Sequence, residues 1–222
     1  MSGLPVGFEH DDVDTVVVFV DMAGFTALTN VHGDHHAARL ASDFAEIAET
    51  LLGPGDQVVK SIGDALMITS TDAASALRLL RRLNDVTRGS SGFPLLRAGM
   101  SAGTVVQRRG DVFGATVNIA ARLADIAESG QIVASITAVS QLRDGAGPEA
   151  VALGPLPLRN IEMPVEAFVL DVGSSHRDHV DPVCRMHVSS GTPKWAISVG
   201  GVSYRFCSLA CLRQYERRTS PA

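Results

Sequence analysis

Hydrophobic and polar positions in the first part of the chain follow two patterns in turn, apolar runs typical of strands and the spacing typical of helices. The continuous apolar run from Thr15 to Met22 is typical of a strand buried on both faces. The segment HHAARLASDFAEIAETLL repeats its apolar residues at helical spacing, and a Gly-Pro-Gly sequence predicts its end. Two β-rich runs, QVVKSI and ALMITS, follow with only a Gly-Asp pair between them, which predicts a tight hairpin.

The same patterns continue to about Val172. Asp72 is the predicted N-cap of a helix over AASALRLLRRLNDV, and LLRAGMSAGTVVQRRG predicts a pair of strands. A helix is expected from near Thr116 to a C-cap at Gly130, followed by short strands and one more helix. The order β-α-ββ-α-β-α-β mixes hairpins with helices. It therefore predicts an α+β fold with a mostly antiparallel sheet rather than a doubly wound parallel one.

The composition of the chain is that of an ordinary globular protein. Of the 222 residues, 45% are hydrophobic and 19% are charged, and 24 acidic against 19 basic residues give a formal net charge of -5. Basic charge is not clustered, so no nucleic-acid partner is expected. No apolar stretch reaches the roughly 20 residues of a membrane span, and the N-terminus lacks the features of a signal peptide. We therefore expect a cytoplasmic protein with no membrane partner.

Candidate chemistry begins with two acids at predicted strand ends. Asp21 closes the first apolar run, and Asp64 lies in the Gly-Asp turn of the hairpin. Carboxylate oxygens suit Mg²⁺ or Mn²⁺, and a pair of such ions can activate a hydroxyl while neutralising a leaving phosphate. Gly24, Phe25 and Thr26 follow Asp21 as a small turn into a helix, whose free N-H groups can meet phosphate oxygens.

Four further polar residues complete the candidate set. Asn118 and Arg122 are four apart on a predicted helix and share one face, and a permanent guanidinium charge suits a phosphoryl-transfer transition state. Lys60 and Asp64 are also four apart, but on extended chain, where about 13 Å separates them. Lys60 therefore need not serve the metal that Asp64 holds. The remaining member is Asp111.

Three motifs resemble those of the class III nucleotidyl cyclases. They are FVDMAGFT, KSIGDALM and DVFGATVNIAARL, they occur in the family's order, and the resemblance covers roughly residues 13–172. It implies the ferredoxin-like cyclase catalytic fold and two metal ions, Mg²⁺ or Mn²⁺, per active site. The implied roles are metal binding by Asp21 and Asp64, purine recognition by Lys60 and Asp111, ribose orientation by Asn118, and transition-state stabilisation by Arg122.

The resemblance also implies a substrate and an assembly. In that family a Lys and Asp pair goes with adenine, whereas guanylyl cyclases typically carry Glu and often Cys instead. Lys60 and Asp111 therefore indicate ATP, and an adenylyl cyclase that acts as a head-to-tail homodimer with sites at the interface. The metal acids would come from one chain and the other four residues from its partner. Arg159 lies where the family often has a basic residue, and by that analogy it is expected to contact the terminal phosphates.

Two other functions stay open from the sequence. One is a guanylyl cyclase. The other is a catalytically silent nucleotide-binding or metal-sensing signalling protein.

All three cysteines lie in the last part of the chain, after a polar stretch at 173–178 that predicts a linker. The motifs DPVCRM and FCSLAC resemble those of a YHS domain, a small metal-associated module, here predicted as a β-β-α unit over 179–222. Cys207 and Cys211 are four apart and would share a helix face, with Cys184 on a preceding strand. Three thiolates with His187 or His179 suit Zn²⁺, fewer ligands suit Cu⁺, and buried apolar cysteines are the alternative.

Three histidines near the start of the first long helix, His32, His35 and His36, are interpreted as exposed polar residues rather than metal ligands. The joining of a cyclase-like domain to a metal-associated tail suggests a further hypothesis. Metal or redox state at the tail would tune the output of the cyclase.

Overall fold

The computed structural model describes residues 11–90, 92–142, 149–170, 179–188 and 194–219. The predicted linker, 173–178, lies outside these ranges. The strands of the first part are β1 (Asp11–Met22), β2 (Gln57–Ile62), β3 (Ala65–Ser70), β4 (Leu96–Arg108), β5 (Asp111–Phe113), β6 (Ile132–Ser135), β7 (Ala150–Leu156) and β8 (Val165–Leu170). Its helices are α1 (Phe25–His32), α2 (Asp34–Leu51), α3 (Ala73–Gly89), α4 (Ala115–Ile126) and α5 (Ile136–Ser140).

These strands form one sheet in the order β2-β3-β1-β4-β6-β8-β7, with β5 paired to β4. Among the described pairs of this sheet, β4 with β6 is the parallel one and the others are antiparallel. The predicted α+β class with a mostly antiparallel sheet is confirmed. β1 lies between β3 and β4, so Asp21 is opposite Ala65 on β3 and opposite Arg97 on β4.

Both faces of the sheet are covered by helices. Alternate residues of β1 point to opposite sides: Val18 packs with Leu28 of α1 and Phe44 of α2, while Val17 packs with Ala120 of α4. This double burial explains why the β1 sequence is a continuous apolar run. α4 approaches the sheet very closely at Gly99, where an added Cβ would lie 2.1 Å from the amide nitrogen of Ala124.

Two details differ from the sequence-based expectations. The stretch predicted as a strand pair is one long strand, β4, which turns at Arg109 and Gly110 into the short β5. Both turn residues have positive φ, 51° and 77°, as a two-residue hairpin turn requires. α4 ends at Ile126 rather than near Gly130, because the Gly130 amide donates to the Leu96 carbonyl and leads the chain into β6.

The C-terminal segment, which we define as the described residues from 179 to 219, has two short ladders and a helix. Its elements are β9 (His179–Val180) paired with β10 (His187–Val188), β11 (Trp195–Val199) paired with β12 (Val202–Phe206), and α6 (Leu209–Thr219). The expected small β-β-α module with cysteines is therefore present. Among the described residues, no helix combines the length and apolar character that crossing a bilayer requires.

The C-terminal segment packs against the first part of the chain. The amide of Leu95 donates to the Arg185 carbonyl at 3.0 Å, and the amide of His187 donates to the Phe93 carbonyl at 3.2 Å. The buried side chains of Val183, Cys184, Met186, Phe206 and Cys211 belong to the same apolar cluster as Val18 and Leu28. A segment too short to form a large core of its own thus shares the core of its neighbour.

Candidate functional site

The two acids at the strand ends lie side by side. Asp64 directly precedes Ala65, the residue opposite Asp21 in the β1-β3 ladder, so both carboxylates occupy the same edge of the sheet. Burial, and then the negative charge of Asp21, raise the pKa of Asp64. Two close carboxylates repel each other and favour a cation between them. The fold therefore brings the two acids to one edge of the sheet, and their role as metal ligands stays a prediction.

A cation that the sequence reasoning missed already contacts this pair. Arg97 donates from Nε to Asp21 Oδ1 at 2.7 Å and from Nη2 to Asp21 Oδ2 at 2.9 Å, a two-point ion pair. The only sequence signal was a single arginine near the start of a strand whose first part is otherwise small and mostly apolar. A divalent cation on Asp21 would share that carboxylate with Arg97 or displace the guanidinium.

The turn after Asp21 presents backbone amides. Gly24 precedes α1 with φ of 76°, a conformation that glycine adopts without strain. Glycine has no side chain to cap the helix, so the first amides of α1, from Phe25 and Thr26, are not satisfied by a capping side chain. Gly24 and Thr26 are exposed, whereas Phe25 packs partly on the core. The arrangement is suited to phosphate oxygens.

Lys60 and Asp111 are brought together from positions 51 residues apart. The Lys60 Nζ donates to both carboxylate oxygens of Asp111, at 2.9 and 2.6 Å, and this lowers the pKa of Asp111. The same ammonium lies 5.9 Å from the centroid of the Phe113 ring. The pair is partly open to solvent, with 41% of the Lys60 and 31% of the Asp111 side chain exposed.

Asn118 and Arg122 lie one turn apart on α4, as predicted. Asn118 is exposed, and Arg122 Nη1 donates to Asp125 Oδ2 at 2.8 Å rather than to either strand-end acid. Arg159 is exposed on the connection between β7 and β8. Within the described residues no hydrogen bond joins Arg159 to the other candidates. A single chain therefore places Asp21 beside Asp64, and Lys60 beside Asp111, but does not gather all the candidate residues into one site.

The three cysteines form a compact cluster. Cys207 Sγ lies 3.5 Å from Cys184 Sγ and 3.6 Å from Cys211 Sγ. The fourth member is His32 at the end of α1, whose Nε2 lies 3.5 Å from Cys207 Sγ and 3.7 Å from Cys211 Sγ. All four potential ligand atoms lie within 4.8 Å of one another.

This cluster corrects two expectations about histidine. His32 was expected to be an exposed polar residue, but it faces the thiols because the C-terminal segment packs on α1. His179 and His187, the expected fourth ligands, are not in the cluster found among the described residues. Nothing in the local sequence around His32 indicates this contact, which joins residues 175 positions apart.

The thiols are hydrogen-bonded to one another, and a buried acid holds their backbone. Hydrogen bonds from Cys184 and then Cys207 lower the pKa of Cys211 to about 5, while hydrogen bonding to Cys207 and then Cys211 raises the pKa of Cys184. Asp181, missed from the sequence although it opens the DPVC motif, accepts from the amides of Cys184 and Cys207 at 3.2 and 2.8 Å. Burial raises the pKa of Asp181.

With this geometry in place, comparison with known proteins defines the class. Residues 8–171 match the family model of the adenylate and guanylate cyclase catalytic domain, so the chain belongs to that family. The match ends before the C-terminal segment and its cysteines.

The chain is also similar to several bacterial proteins. The chain is 35% identical over 164 residues to a protein named pH-sensitive adenylate cyclase from Mycobacterium tuberculosis, a match that covers 72% of this chain and 41% of that protein. It is 36% identical over 138 residues to an adenylate cyclase of Streptomyces griseus, covering 61% of this chain and 35% of the relative. The chain thus matches less than half the length of each of these curated relatives.

Solved structures show the same fold. The adenylyl cyclase CyaB from P. aeruginosa superposes with a TM-score of 0.63 at 20% identity, covering 77% of this chain and 98% of that one. An adenylate/guanylate cyclase/hydrolase from Silicibacter pomeroyi superposes with a TM-score of 0.64 at 24% identity, covering 73% and 98%. The predicted cyclase fold is confirmed.

Proposed function

We propose that this chain is an adenylyl cyclase that converts ATP to 3′,5′-cyclic AMP and pyrophosphate. The observation that carries the proposal is the direct pairing of Lys60 with Asp111, which puts a donor and an acceptor together at one position. Relatives named adenylate cyclase at 35% and 36% identity support the same activity. The ribose 3′-oxygen forms a bond to the α-phosphorus and gives its proton to solvent, while the bond from the α-phosphorus to the bridging oxygen breaks and pyrophosphate leaves.

Asp21 and Asp64 would hold the metal ions of this reaction. Two adjacent carboxylates, one with a raised pKa, fit hard divalent cations such as Mg²⁺ or Mn²⁺. When bound, two such ions lower the pKa of the 3′-hydroxyl and neutralise charge on the leaving pyrophosphate. The Arg97 guanidinium pairs with Asp21 and balances its negative charge.

The remaining residues orient the substrate. The amides of Gly24, Phe25 and Thr26 contact phosphate oxygens, and Arg159 contacts the terminal phosphates. Asn118 positions the ribose, and Arg122 stabilises the charge that develops on the transferring phosphoryl group.

The base is selected by hydrogen-bond complementarity. Lys60 donates to an adenine ring nitrogen, and Asp111 accepts from the exocyclic amine. Because each then has a partner on the base, their own ion pair can open at little cost. An ion pair this exposed contributes at most about 1 kcal/mol.

The active form is a head-to-tail homodimer with two equivalent sites. In one chain, Arg122 bonds to Asp125 and not to the strand-end acids. Beside the Lys60 and Asp111 pair, Ile62 and Phe113 expose 50% and 49% of their surface, an apolar area that a second chain would cover. Asp21 and Asp64 of one chain would face the other four residues of its partner.

We also propose the two-domain division, with a catalytic domain over 13–172 and a YHS-like metal-binding domain over 179–222. The metal bound by the YHS-like domain, Zn²⁺ or Cu⁺, or the redox state of that domain would regulate the activity of the catalytic domain. This idea is supported by a contact of Arg185 with the turn formed by Gly24, Phe25 and Thr26, here called the phosphate turn. A Cβ added at Gly24 would lie 2.9 Å from Arg185 Cγ.

The test is a product assay on the purified full chain with ATP or GTP and Mg²⁺ or Mn²⁺. We expect the unmodified chain to make cyclic AMP from ATP and Asp64→Ala to lose this activity. The control Asp85→Ala, which changes an exposed acid on α3, should make as much product as the unmodified chain. Preference for GTP would contradict the base assignment. ATP binding without any product would contradict the enzyme assignment.

A further inference from the structure

We propose that His32, Cys184, Cys207 and Cys211 form a four-coordinate Zn²⁺ site, and that the ion fastens the C-terminal segment to α1. The ligand that completes the site comes from the catalytic domain itself. The proposal concerns metal binding and stands whether or not the chain makes cyclic AMP.

The spacing of the four ligand atoms matches a tetrahedron around zinc. With Zn-S of about 2.3 Å and Zn-N of about 2.0 Å, the edges of a tetrahedron are about 3.8 Å between sulfurs and about 3.5 Å from sulfur to nitrogen. The observed distances from Cys207 Sγ are 3.5 and 3.6 Å to the other sulfurs and 3.5 Å to His32 Nε2. Cys211 Sγ lies 3.7 Å from the same nitrogen. These four distances lie within about 0.3 Å of the ideal edges, and all four ligand atoms lie within 4.8 Å of one another.

The donor set selects the ion. Three thiolates and an imidazole are typical of structural zinc sites, which have four protein ligands and no open position. Cys184 and Cys211 are buried and Cys207 and His32 are partly buried, so most of the site is shielded from bulk solvent. Mg²⁺ and Mn²⁺ prefer oxygen ligands and would not compete for sulfur, whereas Cu⁺ would be satisfied by fewer ligands and would not need His32.

The backbone around the cysteines is held independently of any ion. Buried Asp181 accepts hydrogen bonds from the amides of Cys184 and Cys207, and Ser208 Oγ accepts from the Cys211 amide at 3.2 Å. Partners of this kind orient metal ligands before the ion binds and increase affinity. The cluster is thus prearranged rather than a chance encounter of side chains.

The position of His32 gives the site a structural consequence. His32 is the last residue of α1, and Gly24 of the phosphate turn lies at the other end of the same helix. The C-terminal segment contacts both ends, through the thiols at His32 and through Arg185 at Gly24. A zinc ion would therefore hold α1 at one end while Arg185 contacts the turn at the other.

The experiment is a zinc titration of the full chain against a chromophoric chelator, in excess Mg²⁺ so that the strand-end acids do not contribute. We expect one Zn²⁺ per chain and a loss of affinity of at least about tenfold in His32→Ala. The matched control is His35→Ala, an exposed histidine in the first turn of α2, which should bind zinc as the unmodified chain does.

A second readout separates ligand loss from misfolding. Co²⁺ in the site should show the strong visible bands of tetrahedral coordination with thiolate charge transfer. His32→Cys should keep tetrahedral bands at shifted positions, whereas His32→Ala should alter their intensity. Unchanged affinity and an unchanged cobalt spectrum in His32→Ala would overturn the assignment of His32. No zinc binding by the unmodified chain, or a His32-independent preference for Cu⁺, would overturn the site.

Discussion

The strand-end acids and the cysteine cluster are two candidate metal sites with opposite physical character. Asp21 and Asp64 offer oxygen ligands, lie partly open to solvent, and already face a protein cation, Arg97. The cysteine cluster offers sulfur and nitrogen ligands, is largely buried, and holds four protein donors within 4.8 Å. An open oxygen site suits ions that must meet a substrate, whereas a closed sulfur site suits an ion that stabilises structure.

The largest effect is expected from removing one strand-end acid. Asp21→Ala should lower cyclic AMP production more than about a thousandfold, because metal stabilisation of the transition state is worth several kcal/mol. Its zinc content should remain that of the unmodified chain. Measurement of both quantities on one preparation checks the separation of the sites, and joint loss of zinc and activity would break it.

The reciprocal change removes a thiolate. Cys211→Ser should abolish stoichiometric zinc binding and lower the melting temperature by at least about 5 °C, because a structural ion that binds only the folded state stabilises it. Thermal unfolding with and without zinc provides the measurement. Asp85→Ala again serves as the control. A zinc-independent melting temperature in the unmodified chain would show that the ion does not fasten the segment.

A smaller effect is expected at Lys60 and Asp111, the pair proposed to recognise the base. Asp111→Ala should lower kcat/KM for ATP about tenfold to a hundredfold, because Lys60 then keeps its contact while the adenine amine loses its acceptor. Lys60→Glu together with Asp111→Cys should move preference toward GTP. Steady-state kinetics with both nucleotides checks this, and an unchanged ratio of the two would contradict base recognition by this pair.

The smallest effect is a shift in pH dependence. The pKa of Asp64 is raised, so its carboxylate is lost at a higher pH than that of an ordinary aspartate, and activity should fall as pH decreases through that pKa. The positive charge of Arg97 lowers the same pKa, so Arg97→Met should move the acid limb to higher pH. Profiles of kcat/KM against pH measure the shift. A limb that stays in place would exclude Asp64 as its origin.

The raised pKa of Asp64 favours activity at higher pH but favours folding at lower pH. A carboxyl group that prefers its neutral form in the fold contributes stability at a pH below its unfolded pKa, near 3.8, and loses that contribution as pH rises through its raised value. Asp111, whose pKa is lowered by Lys60, contributes stability above its unfolded pKa and loses it as pH falls through its lowered value. The two acids therefore favour folding at opposite ends of the acidic range.

Local pattern was sufficient for much of this architecture. The apolar run of β1 and the Gly-Asp hairpin predicted the strand ends at which Asp21 and Asp64 lie, because these features depend on neighbouring residues. Motif order then indicated Lys60 and Asp111, which the structure brings into contact across 51 residues. Their pairing depends on the turn at Arg109 and Gly110, which the sequence reasoning had not placed.

Contacts that depend on tertiary packing were not visible in the sequence. Arg97 reaches Asp21 only because the β1-β4 register sets the two opposite each other. His32 reaches the thiols only because the C-terminal segment packs on the first part of the chain, through the shared core and through the hydrogen bond from the Leu95 amide, just before β4, to the Arg185 carbonyl. Neither contact follows from spacing along the chain, since each joins segments whose relative placement is set by the whole fold.

One experiment tests the division into two metal sites directly. The full chain, loaded with zinc and freed of other divalent ions, is assayed for cyclic AMP from ATP before and after addition of Mg²⁺, with zinc content measured at both points. We expect no product before the addition, product after it, and one retained zinc per chain throughout. Full turnover with zinc alone, or release of zinc by Mg²⁺, would contradict two separate sites.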